Sequence, residues 1–172
     1  MQPSLSNHLA VLATAAFLAL TIPTEAIGQT AAPAETTVKV GPRVGLDVGN
    51  IEEPFVGADV RVGLAASRIA INPTFDFYFT EKPPTFWSLS TNALYRFGVD
   101  NEAFTPYSGA GLGVYRSEGG SGSIELGLNA VFGAEFRVGS VGPFVEAQYS
   151  PVFTEESTTS IFSVKGGLLF EF

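Results

Sequence analysis

The sequence contains no cysteine in 172 residues. That excludes a disulfide framework, thiolate metal sites, a cysteine nucleophile and a lipid-bearing N-terminal cysteine. It holds one histidine, His8, immediately before an N-terminal apolar run. Basic residues are scarce. Nine Lys plus Arg against seventeen Asp plus Glu give a formal net charge of -8, so the basic footprint of a nucleic-acid-binding domain is missing. Long apolar runs are missing too. Mean hydropathy is +0.25, yet no stretch reaches the roughly twenty residues of a membrane-spanning helix. The apolar residues must be used in some other way.

From Leu9 to Ile22 the chain reads LAVLATAAFLALTI, without a charge, and Pro23 stops it. Such a run is too short to span a bilayer and suits the core of a signal peptide. Thr24-Glu25-Ala26 and Ala26-Ile27-Gly28 both supply the small-x-small pattern a signal peptidase needs. The leading MQPSLSNH carries no Lys or Arg, and the competing reading of the run is a buried core helix. The organisation expected is a cleaved signal peptide over 1–28, a short periplasmic lead-in over 29–36 and one domain over 37–172.

Within that domain almost every segment alternates with a period of two, the signature of strands. The first run sets Val38, Val40, Pro42, Val44 and Leu46 against Lys39, Arg43 and Asp47. The second sets Val56, Val60 and Val62 against Gly57, Asp59 and Arg61; the third sets Ile71, Phe75 and Phe77 against Asn72, Thr74 and Asp76. Leu89 and Tyr95 oppose Asn92 and Arg96 in the fourth, and Leu112 opposes Tyr107, Gly109, Gly111, Gly113 and Tyr115 in the fifth. The sixth is longest, with Leu126, Leu128, Phe132 and Val138 opposite Glu125, Asn129, Glu135 and Arg137. Val145, Ala147 and Tyr149 oppose Phe144, Glu146 and Gln148 in the seventh; Val164, Leu168, Phe170 and Phe172 oppose Lys165, Leu169 and Glu171 in the eighth. The separators GNIEEP, AASR, EKPP, VDNEA, SEGGSGS, GSVG and TEESTTS carry turn chemistry. Pro42 and Pro73 fall inside runs and cannot donate to a ladder, which weakens those strands locally.

Alternation alone leaves open which face points outward. The polar face is glycine-rich and charged with both signs: Lys39, Arg43, Arg61, Arg96, Arg137 and Lys165 against Asp47, Asp59, Asp76, Glu125, Glu135, Glu146 and Glu171. A solvated sheet face has no need of glycines, whereas the crowded bore of a narrow barrel does. Aromatics on the apolar face gather toward strand ends: Phe77, Phe79, Trp87 and Tyr149 at one rim, Tyr95, Phe97, Phe170 and Phe172 at the other. Girdles of this kind mark the two interfaces of a bilayer. The fold expected is all-β: an eight-stranded antiparallel up-and-down transmembrane β-barrel, closed because lipid tolerates no open edge.

The ending SVKGGLLFEF and the segment GPFVEAQYSPVF at 142–153 resemble the small outer-membrane β-barrels of the OmpA/OmpX and opacity-protein type. The resemblance covers 37–172 and implies an integral outer-membrane protein. It further implies that Phe170 and Phe172 form part of a C-terminal signal read by the barrel-assembly machinery. Enzymes with this architecture rely, by the same resemblance, on a histidine. The mature chain has none if cleavage follows Gly28, so catalysis is not expected.

Two acidic features compete with that reading. Glu135 and Glu146 could act as a carboxylate pair across the sixth and seventh strands, or belong to a salt network with Arg137. Glu52, Glu53, Glu81, Glu118, Glu155 and Glu156 crowd the outer connections, opposed by Lys82 and Arg116; they form a solvated rim or a weak divalent-cation surface. GAGLGVY at 109–115 is glycine at strand spacing and not a phosphate loop. The function expected is non-enzymatic, structural or surface-exposed, with a polar and largely plugged lumen; the alternatives are a narrow pore and a soluble ligand-binding barrel with its apolar face inward. No cofactor and no nucleic acid are expected, and the partners are outer-membrane lipid and the assembly machinery around a monomer. Closure should bring Glu171 near Lys39 or Arg43, and Arg137 beside Glu135 and Glu146.

Overall fold

A computed structural model describes residues 36–80, 85–100, 103–118, 123–154 and 157–172. The expected signal peptide and residues 29–35 of the lead-in lie outside these, as do Glu81, Lys82, Glu155 and Glu156 of the connections. Eight strands follow one another: β1 (Val38–Asp47), β2 (Pro54–Gly63), β3 (Ile69–Tyr78), β4 (Thr85–Arg96), β5 (Phe104–Glu118), β6 (Ser123–Phe136), β7 (Val141–Phe153) and β8 (Thr158–Glu171). Each pairs antiparallel with the next, and β1 pairs with β8, so the sheet closes as an up-and-down barrel. Among the described residues there is no helix.

The two faces separate as the alternation requires. Leu112, Leu126 and Phe132 are each more than 60% exposed, while Arg43, Asp59 and Asn72 are at most 1% exposed. This inverts the arrangement of a soluble domain, where a continuous apolar outer belt would drive aggregation. A lipid environment removes that penalty, and the closed ladder leaves no open sheet edge toward hydrocarbon. Aromatic pairs mark both ends of the belt. Phe75 stands 6.1 Å from Trp87 and Phe77 5.8 Å from Phe79 at one end; Tyr95 stands 5.3 Å from Phe97 and Phe104 6.4 Å from Phe136 at the other, the end where the barrel's own termini lie, β1 beginning and β8 finishing there. β7 continues past Tyr149, so Phe153 rather than Tyr149 marks its rim.

The prolines leave traces without breaking strands. On the β8 side of β1 the register passes from Val40↔Phe170 to Arg43↔Gly167, skipping Gly41 and Pro42. On the β2 side of β3 it passes from Asp59↔Thr74 to Val62↔Ile71, skipping Asn72 and Pro73. Both gaps follow from the missing proline N–H. At the terminus-bearing end the turns are tight: Leu64 N–H donates to Ile69 C=O at 2.9 Å, and Val138 bridges to Val141 across Gly139 at φ 62.

Candidate functional site

The lumen collects nearly all the buried polar chemistry, because every second residue of every strand points there. Its centre is built on Arg43, from β1. Nε and Nη2 of Arg43 bind the two oxygens of Asp76 on β3 at 2.7 and 2.5 Å, a bidentate fork, and Nη1 lies 3.4 Å from Asp59 on β2. Asp59 also accepts from Arg61 Nε at 3.0 Å and from Asn72 Nδ2 at 2.9 Å. Across the bore, Lys165 Nζ donates to Gln148 Oε1 at 2.5 Å and stands 3.1 Å from Glu146 Oε1. Glu146 Oε1 has no hydrogen bond of good angle, but the ion pair acts on it, since charge attraction depends little on direction. Buried charge without a partner costs several kcal/mol, roughly, per ion. Here Arg43, Arg61 and Lys165 face Asp59, Asp76 and Glu146.

Arg61 occupies the bore between this cluster and the terminus-bearing mouth. Its guanidinium carbon lies 4.6 Å from the ring centre of Tyr107 and 4.4 Å from that of Phe144. Nη2 donates to Tyr107 Oη at 3.0 Å and is 3.7 Å from Glu146, while Nη1 reaches Glu135 at 3.5 Å. Tyr107 in turn donates to Glu146 Oε2 at 2.9 Å. Stacking and ion pairing fix one guanidinium across the passage.

Toward the opposite mouth the lumen becomes neutral and then aromatic. Asn129 donates to Asn92 at 3.0 Å and accepts from Tyr115 and Ser150 at 2.9 Å each. Above it Phe55, Tyr78, Phe86 and Tyr115 form a chain of rings at 4.9, 4.9 and 6.2 Å, packed beside Val152 and Ile161. The alternation could have revealed this inner apolar layer. Phe55 and Val152 sit two residues from the inward-facing Gly57 and Ser150; on the other side of Asn129, Leu94 and Val131 pack with Tyr107, two residues from Asn92 and Asn129.

Of the remaining charged residues, Glu135 touches the central network through Arg61. Lys39 holds Glu135 at 2.5 Å and Glu171 at 3.4 Å, so Glu171 meets Lys39 and not Arg43. Arg137 does not sit between Glu135 and Glu146: it lies past the end of β6, exposed, and Arg61, Lys39 and Lys165 hold those carboxylates instead. The strand ends one residue too early to carry Arg137 inward. Arg96, at the end of β4, donates from Nη2 to the Ser67 carbonyl at 3.4 Å. Asp47 is buried but serves as a loop cap, its Oδ1 accepting from the Gly49, Ile51 and Glu52 amides at 2.7, 3.3 and 3.3 Å. Glu125 is half-buried and makes no ion pair with a described residue. Among the described residues no three His, Cys, Asp or Glu side chains converge as metal ligands would.

No family model matches the sequence, and no curated protein matches it. Solved structures do. The N-terminal β-barrel domain of Pseudomonas aeruginosa OprF superposes with a TM-score of 0.59 at 15% identity, over 79% of this chain and 100% of that one. Neisserial surface protein A gives 0.58 at 18%, over 80% and 97%. Ail, the attachment invasion locus protein of Yersinia pestis, gives 0.58 at 14%, over 82% and 100%. At such identities the likeness is one of fold. With its closed ladder, outward apolar belt and polar bore, the chain has the fold of the small eight-stranded outer-membrane β-barrels.

Proposed function

We propose that this chain is a monomeric, non-enzymatic integral outer-membrane protein whose barrel is a membrane-anchored scaffold with a plugged lumen. The observation that carries the reading is Arg61 of β2, stacked between Tyr107 and Phe144 and reaching across the bore to Glu135 on β6 and Glu146 on β7. A bore of eight strands is just wide enough for side chains to fill. The Arg43 cluster on one side of Arg61 and the ring chain beyond it add two further layers. Nucleophilic catalysis would need an activating base, and the barrel sequence contains no histidine. Purified protein in a planar bilayer should give no large, steady single-channel current; such currents from the wild type would establish the narrow pore instead.

Export through a signal peptide cleaved after Gly28 belongs to the same reading, and the outer-membrane form should then begin at Gln29 by N-terminal sequencing. Phe170 and Phe172, at alternate outward positions, are proposed as the signal to the assembly machinery. Replacing Phe172 by Asp should lower the amount reaching the outer membrane in cells while leaving refolding in detergent nearly intact. Normal levels of the variant in the outer membrane would remove that role.

A further inference from the structure

Four of the nine basic residues of this acidic chain, Lys39, Arg68, Arg96 and Arg137, line one open recess of about 960 Å³ at the terminus-bearing end. The carboxylate side chains there are Glu135 and Glu171, and both lie on Lys39, at 2.5 and 3.4 Å. Glu135 is also 3.5 Å from Arg61. None of Arg68, Arg96 and Arg137 makes an ion pair with a described carboxylate. Three guanidinium groups thus line one mouth, none of them ion-paired with a described residue.

The local backbone brings them there. Arg68 belongs to the β2–β3 turn, Arg96 ends β4 and Arg137 follows β6, three connections at the same end. The Arg96 amide donates to the Arg68 carbonyl at 2.8 Å, and Arg96 Nη2 reaches the Ser67 carbonyl at 3.4 Å, so both side chains issue from one spot. Arg68 folds over Gly98, where a β-carbon would stand 2.9 Å from its Nη2. Like charges held together favour an anion that bridges them. A planar guanidinium fork matches the oxygens of a phosphate, and several forks can share one tetrahedral group.

We propose that this recess is a binding site for a phosphate-bearing anion, with Arg68, Arg96 and Arg137 as its ligands. The site is independent of the lumen reading, because a plugged and an open bore leave this mouth unchanged. The source of the phosphate is a soluble compound or the headgroup of an anionic phospholipid.

The full barrel in maltoside micelles, free of phosphate, is titrated with sodium pyrophosphate and with sodium chloride at matched ionic strength, following the arginine Nε–H resonances by NMR. The same protein is then placed in nanodiscs with and without phosphatidylglycerol. Saturable shifts of Arg68, Arg96 and Arg137 with pyrophosphate, weakened at least about tenfold in R68Q/R96Q/R137Q and unchanged in R116Q, assign a soluble phosphate. Shifts confined to phosphatidylglycerol nanodiscs, and lost in the triple variant, assign the lipid headgroup. Equal responses to pyrophosphate and chloride without a phosphatidylglycerol effect, persistence in the triple variant, or no response in any arm would overturn the site. If the triple variant does not fold, the wild-type arms decide alone.

Discussion

The side-chain amide of Asn72 donates to the backbone carbonyl of Val60 at 2.8 Å, where Pro73 interrupts the β2–β3 ladder. In an unbroken ladder that carbonyl would accept from the residue at position 73, and proline has no N–H to give. An unpaired carbonyl facing lipid costs several kcal/mol, roughly. Asn72 substitutes for the missing donor from inside the bore, while its Nδ2 also reaches Asp59 at 2.9 Å.

The pair is therefore coupled. Asn72→Leu should destabilise the barrel by about 1–3 kcal/mol, the cost of leaving buried acceptors unsatisfied. In a Pro73→Ala background the backbone donor returns, and the same substitution should cost less. A double-mutant cycle from urea unfolding in lipid vesicles measures the difference. Additive effects would show that the side chain does not replace the ladder bond.

Leu112 and Leu128 face each other across β5 and β6 on the outer surface. Leu128→Arg should cost about 2–4 kcal/mol, as for a cation near the bilayer midplane, while Leu128→Phe should cost much less. Unfolding in vesicles measures both. Equal stability of the two variants would place this position outside the hydrocarbon.

Both faces were legible in the sequence because a membrane strand has a simple rule, apolar out and small or polar in. Val44 beside Arg43 and Phe77 beside Asp76 follow it directly. The ion pairs were less legible. Their partners depend on which strands face each other across the bore, and that follows from strand tilt and stagger, which alternation does not encode. Arg61 and Arg137 have the same parity on their strands, yet only Arg61 lies deep enough to reach Glu135 and Glu146. The inner ring chain was missed for another reason. Phe55 and Phe86 look like members of the lipid face unless position is weighed above side-chain type.

Arg61 is where stability and permeability meet. Arg61→Ala removes the stacked guanidinium and leaves Asp59 and Glu146 with fewer cationic partners, each buried. Breaking a buried pair from one side costs about 3–5 kcal/mol. The same change opens space between Tyr107 and Phe144, so the variant should be less stable to urea and should show channel events that the wild type lacks. Loss of stability without new conductance would mean that the outer ring chain alone closes the bore.

The barrel closes at a single seam, between β1 and β8. β1 and β8 are far apart in sequence, and their ladder is interrupted at Gly41 and Pro42. At Gly41 a β-carbon would run into the Leu168 carbonyl oxygen and would stand 2.7 Å from the carbonyl carbon and 3.2 Å from Leu169 Cα. All three atoms are backbone, so no side chain can turn aside; the strand itself has to move. Gly63, also inward-facing, is the contrast, since a β-carbon there meets nothing nearer than 3.4 Å. Gly41→Ala should therefore cost at least the 1–3 kcal/mol, roughly, of an overpacked core, and Gly63→Ala should cost little. The cost at Gly41 falls on barrel closure, because the backbone its β-carbon would strike belongs to β8, the closing partner of β1. Refolded Gly41→Ala should show slower recovery of the compact, heat-modifiable band on unboiled gels than either the wild type or Gly63→Ala. Matching recovery rates for the two alanine variants would show that β8 yields at this point, and that the close approach at Gly41 is not needed to seal the barrel.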